Sequence, residues 1–170
     1  PSNANPKYER IKIRQAMGIL ATFGITPRGL ADTANRMTSA RQVLVQATAK
    51  AAGEVTESHF GDVFLGIDKF FDQLPETRRR LLQHCLKWVS GAEYVPRSAS
   101  LADMEQAIAS GITSTLHGCL VSVNDGTAVV SREFNQIAEI ACKTTDIWDS
   151  RWRLSGPGND EMEIRALTET

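Results

Sequence analysis

The sequence has no run of about 18 apolar residues, the length a membrane span requires. It also opens without the charged segment and apolar core of a secretory signal. Cysteine is scarce: Cys85, Cys119 and Cys142 lie far apart, with no CxxC pair. That argues against a disulfide framework and fits a reducing, intracellular, cytoplasmic setting. Neither GxxxxGKS/T nor GxGxxG occurs, so nucleotide-phosphate and dinucleotide cradles have no support. The nucleophile elbow GxSxG is missing too, and the three thiols sit in apolar patterns typical of core residues. His59, His84 and His117 are widely spaced, with no HExxH, so no metal is expected and no cofactor is implied. Asp146 and Asp149 share a helix side, but Arg151 and Arg153 follow and offer simple ion pairs. With no catalytic constellation, the expectation is a chain that is not an enzyme.

What is present is an ordinary globular composition: 170 residues, 42% hydrophobic, 23% charged and 6% aromatic. The net charge of −1 hides a split. Residues 1–50 carry eight Lys or Arg against Glu9 and Asp32, giving +6. Residues 51–98 carry six basic against seven acidic, giving −1, and residues 99–170 five against eleven, giving −6.

Apolar spacing predicts helices along most of the chain. Ile13, Ala16, Met17, Ile19, Leu20 and Phe23 form a stripe over 7–24, which Gly24 stops. Thr26-Pro27 starts a short helix to about residue 36, and Thr38 caps another running to about Ala52. Between them, Leu30 to Leu44 has some of the flavour of a helix-turn-helix, without the usual glycine in the turn. Thr56 then caps a helix over 56–74, carrying Phe60, Phe64, Phe70 and Phe71 on one face. Pro75 starts the next, with Leu81, Leu82, Cys85, Leu86, Trp88 and Val89 as its buried side and Gly91 as its stop. A further helix runs from Ser100 to about Val121. At Asn124-Asp125-Gly126 the reading forks between a short β-hairpin near 120–130 and a turn between helices. The helical reading is preferred, because Val130, Phe134, Ile137, Ala141 and Trp148 continue at helical spacing.

The expected architecture is therefore all-α: a single-domain bundle of six or seven helices over 7–154. Residues 1–6 are set aside as a disordered leader or an expression scar, and 155–170 as a flexible acidic tail.

For function, the charge split leads. A basic end and an acidic end attract across copies, which predicts a non-enzymatic assembly or adaptor domain acting through protein–protein contacts and self-association as a homo-oligomer. The alternative is a nucleic-acid-binding domain, as in a nucleoprotein, replication or packaging factor, using the basic face of residues 7–41. The candidate residues for an anionic partner are Lys7, Arg10, Arg14, Arg28, Arg36 and Arg41, with a second cluster at Arg80, His84 and Lys87. Trp148 and Trp152, flanked by Arg151 and Arg153, form a candidate partner-docking patch. Tyr8, Tyr94 and Trp152 are the rings left to stack on nucleic-acid bases.

Overall fold

The computed structural model describes residues 6–156 and 161–167, with side chains from Arg10 onward. The chain divides into two compact units, with the boundary between Gln46 and Ala47.

The first unit is helical. Helix α1 spans Pro6–Thr22, and α2 begins at Pro27 and continues to Val55, beyond the unit boundary. The connection follows the expected punctuation. Gly24 takes φ +77°, its N–H donates to the Ala21 carbonyl, and the Ile25 N–H reaches the Leu20 carbonyl, together closing α1 as a Schellman motif. Thr26 Oγ1 accepts the Gly29 N–H at 3.1 Å, the N-cap of α2. The expected break near residue 37 is absent. Thr38 Oγ1 donates back to the Ala34 carbonyl at 2.9 Å and Ser39 Oγ to that of Asn35 at 3.2 Å, so both hydroxyls join the helix rather than cap a new one. This corrects the two short helices to one, and it removes the turn that a helix-turn-helix needs. The α1 stripe is also not core: Ile13, Ile19 and Phe23 are exposed.

The second unit overturns the all-α expectation. Its centre is a five-stranded antiparallel sheet. In chain order the strands are β1 Thr56–His59, β2 Asp62–Gly66, β3 Ser114–Leu116, β4 Cys119–Asn124 and β5 Thr127–Arg132, and their spatial order is β1-β2-β5-β4-β3. The helices are α3 Ile67–Phe71, α4 Pro75–Ser90 and α5 Ser98–Ala109. Val63 and Leu65, Cys119 and Val121, and Ala128 and Val130 alternate onto the buried face of the sheet. There they share one core with Leu82, Leu86 and Val89 of α4, Leu101, Met104 and Ile108 of α5, and Phe70 of α3.

Three tight hairpin loops explain why the helical readings failed. Phe60-Gly61 links β1 to β2 with φ of +49° and +84°, His117-Gly118 links β3 to β4 with +58° and +72°, and Asp125-Gly126 links β4 to β5 with +45° and +73°. Positive φ at both loop residues is the type I′ geometry that fits the twist of a hairpin and that no right-handed helix contains. The presumed helix over 56–74 is thus a hairpin plus one helical turn. Phe60, placed on a core stripe by its spacing, sits at the loop tip and is 96% exposed. Likewise α5 does not reach Val121. Gly111 at φ +69° ends it: the Gly111 N–H donates to Ile108 and the Ile112 N–H to Ala107. The hairpin alternative near 120–130 is the observed one.

Beyond β5 the chain forms a 3-10 turn, Phe134–Gln136, and four short strands, β6 Ala141–Lys143, β7 Ile147–Trp148, β8 Trp152–Arg153 and β9 Glu163–Arg165. β6 pairs with β9 and β7 with β8. The helical continuation read through Phe134, Ala141 and Trp148 is therefore a 3-10 turn at Phe134 and short strands at Ala141 and Trp148, joined by turns. Of the segment read as an acidic tail, residues 157–160 and 168–170 lie outside the described residues.

Candidate nucleic-acid interface

Of the basic residues singled out on the first two helices, Arg10, Arg14, Arg28, Arg36 and Arg41 are all exposed. Lys7 falls where only the backbone is described. Five guanidinium groups held in water on helices are a surface that phosphates can approach with little desolvation.

The cluster on α4 is more divided. Glu76 draws in two neighbours: Arg79 grips it at two points, both 2.8 Å, and Arg80 Nε donates to it at 2.7 Å. These bonds hold the Glu76 carboxyl down at about 2. Arg80 is accordingly engaged within the chain, whereas His84 and Lys87 are exposed.

Next to Lys87 lies a group that the sequence did not assemble. Trp88, placed by its spacing on the buried side of α4, is 53% exposed. The guanidinium of Arg151 lies 5.5 Å from the centre of its ring and 5.8 Å from that of Trp152, itself 41% exposed. Arg151 Nη2 also donates to the carbonyl of Gly61 at the β1–β2 tip. Gly61 is required there, since a Cβ would collide with Cζ2 of Trp152. Gly61, Trp88, Arg151 and Trp152 line a pocket of about 360 Å³. Trp88 also borders a second hollow of about 340 Å³, together with His84 and Ser58.

The turn that aims Arg151 and Trp152 is unusual. Asp149 and Ser150 both have positive φ, +48° and +55°, and the Arg151 N–H closes onto the Trp148 carbonyl at 3.0 Å. Asp149 is gripped by Arg132 rather than by Arg151 or Arg153, which corrects the pairing read from sequence proximity. Trp148, grouped with Trp152 as a docking patch, is half-buried and donates Nε1 to the Ile140 carbonyl at 2.9 Å.

Elsewhere the chemistry is weak. Burial pushes the Cys85 thiol up to about 12 and the Cys119 thiol up to about 11, which keeps both protonated and unreactive. His117 Nε2 is buried without a hydrogen bond among the described residues. A larger open groove of about 670 Å³ is bordered by Glu54, Glu57 and Asp68 against Lys69, a charge balance that repels phosphate. Among the described residues no group of three potential ligands could hold a metal ion, and no helix is long and apolar enough to cross a membrane.

No protein-family model matches the sequence. Three tRNA(Ile)-lysidine synthases are similar to it. The one from Ruegeria pomeroyi is 37% identical over 167 residues, covering 98% of this chain and 40% of the synthase. One from Rickettsia bellii is 26% identical over 168 residues, covering 94% of this chain and 38% of the synthase. The chain thus spans about 40% of the length of the curated relatives it matches. That similarity overturns the expectation of a non-enzymatic, self-associating adaptor: nearly the whole chain is similar to a segment of proteins that are themselves enzymes. The charge split that suggested self-association needs no second copy as its partner.

Proposed function

We propose that this chain supplies tRNA-binding surface to a tRNA-modifying enzyme related to the lysidine synthases. The observation that carries this reading is the 37% identity across 98% of the chain to a protein whose name gives tRNA as its substrate. The charge distribution supports it. Lys7, Arg10, Arg14, Arg28, Arg36 and Arg41 supply cations for backbone phosphates, while His84 and Lys87 add a second, smaller cluster beside Trp88. Trp152 provides an aromatic contact of the kind that RNA bases use. An enzyme of this kind works where tRNA is present, in the cytoplasm.

The test is an anisotropy titration of labelled tRNA transcript with this chain over a range of salt concentrations. Binding is expected to weaken steeply as salt rises. Replacing Arg10, Arg14 and Arg28 together by Ala should lower affinity and reduce the salt slope by close to one unit for each phosphate no longer neutralised. No binding at about 50 mM salt, or binding indifferent to that triple change, would overturn the proposal.

A further inference from the structure

We propose that Trp88, Arg151, Trp152 and Gly61 form a stacking pocket for one unpaired base of an RNA strand, an inference that rests on the RNA-binding reading above and gives it a specific contact. Three features of the cluster point to a base rather than a phosphate or an apolar side chain.

The first is exposure. Trp88 and Trp152 are both large rings left about half in water, and Phe60, next to Gly61, is almost wholly so. A ring without chemical use would be better buried, and base–aromatic stacking is the interaction that such rings make with RNA.

The second is the guanidinium. Arg151 lies near both indoles, so its planar cation and the two rings offer a base several flat surfaces. Among the described residues it donates only to the Gly61 carbonyl, which leaves most of its five N–H groups for a ligand's ring nitrogens or carbonyls.

The third is the local charge. Asp62, next to Gly61 in the chain, has its carboxyl raised above the ordinary value by burial, with the Arg151 guanidinium opposing that shift as the smaller influence. A carboxylate beside the arginine partly cancels its field, which disfavours a phosphate and suits a neutral ring carrying donors and acceptors of its own. The pocket, at about 360 Å³, lies near the small end of ligand-sized cavities, which run from about 300 to 1,000 Å³. Lys87, exposed one residue before Trp88 on the same helix, is the cation nearest to that tryptophan along the chain.

The experiment uses a short single-stranded RNA containing one 2-aminopurine, whose fluorescence falls when it stacks, alongside a fully paired hairpin of the same length. Quenching of the single strand, with weaker binding of the hairpin, is expected. Trp152→Ala and Trp88→Ala should each lower single-strand affinity roughly ten-fold and abolish the quench, while Trp152→Phe keeps most of both. Because the phosphate-binding cations are untouched, the salt slope should stay as in the parent. Circular dichroism confirms that the variants are folded, and Gly61→Ala, which displaces Trp152, gives an independent perturbation. If tRNA binds but the tryptophan variants bind the single strand as tightly as the parent, the stacking pocket is wrong and the basic surface stands. If tRNA does not bind at all, the broader reading fails. Quenching of the single strand that depends on both tryptophans would then still support the pocket, and its absence would sink both.

Discussion

Arg132 and Asp149 meet through two parallel hydrogen bonds, Nε to Oδ2 at 2.9 Å and Nη2 to Oδ1 at 3.0 Å, with the Asp149 side chain only 5% exposed. The third guanidinium nitrogen donates to the Gly118 carbonyl at 2.8 Å. One side chain at the end of β5 thus fixes both the β3–β4 loop and the left-handed turn that carries Arg151 and Trp152.

Removing one member of such a buried pair leaves the other charge unpaired, so Asp149→Ala should destabilise the fold by about 3 kcal/mol or more in urea unfolding. Asp149→Asn should lose less. The amide still accepts a hydrogen bond, and asparagine tolerates the left-handed φ of +48°. Equal losses in the two variants would mean that the charge, and not the turn, carries the whole effect.

Two loop glycines should separate crowding from conformation. Gly126 has φ +73° and open space around it, so Gly126→Ala should cost about 1 kcal/mol, the strain of a left-handed alanine. Gly61 has φ +84° and Trp152 against it, so Gly61→Ala should cost about 2 kcal/mol more than that and shift the tryptophan fluorescence. Denaturant melts followed by fluorescence read both quantities.

Acid should weaken the N-terminal turn of α4. The Glu76 carboxyl is held at about 2, below its ordinary 4.5, first by its hydrogen bonds from Arg79 and then by that from Arg80. A lowered native value means that the stabilisation is fully present above about 4.5 and is lost as pH falls toward 2. The side chain is 42% exposed, so solvent screening limits the effect to about 1 kcal/mol or less. Comparing Glu76→Gln with the parent in thermal melts across that window should show a smaller acid-induced decline in the variant.

Thiol chemistry should report on burial. Cys85 and Cys119 are buried, with thiols pushed up to about 12 and 11, while Cys142 is half-buried in β6. At pH 8 Ellman's reagent is expected to label Cys142 first, and the other two only at the rate of unfolding. Raised thiol values have a second effect. Above about 9, where the unfolded thiols ionise and the native ones do not, stability should fall as pH rises.

Punctuation was the legible part of the sequence. Thr26-Pro27, Pro75, Gly24 and Gly91 mark helix ends where the structure has them, because caps act through one or two residues. The sheet was obscured for a local reason. Phe60-Gly61 and His117-Gly118 lack the Asn or Asp that usually announces a type I′ loop, and strands of three to six residues with apolar groups on both faces imitate a helical stripe. Asp125-Gly126 did announce itself, but the apolar spacing beyond it outweighed the signal. The site divides in the same way. Exposed arginines and Lys87 follow from helix faces. The union of Trp88 with Arg151 depends on a carbonyl at Gly61, 90 residues from Arg151 in the chain, and no local pattern encodes it.

The strand order has a kinetic consequence. β1 with β2, and β3 with β4 and β5, are neighbours in sequence as well as in space, so each set can zip from its own tight loop. The pairing of Val63 with Val130 is different: it joins β2 to β5 across a long intervening stretch that carries α3, α4 and α5. Closing that loop is the largest entropic step in building the sheet. Two locally formed β units should therefore arise early and wait for α4 and α5 to dock. Destabilising changes at the β2–β5 seam, such as Val130→Ala, should then slow folding more than equally destabilising changes near the Asp125-Gly126 loop.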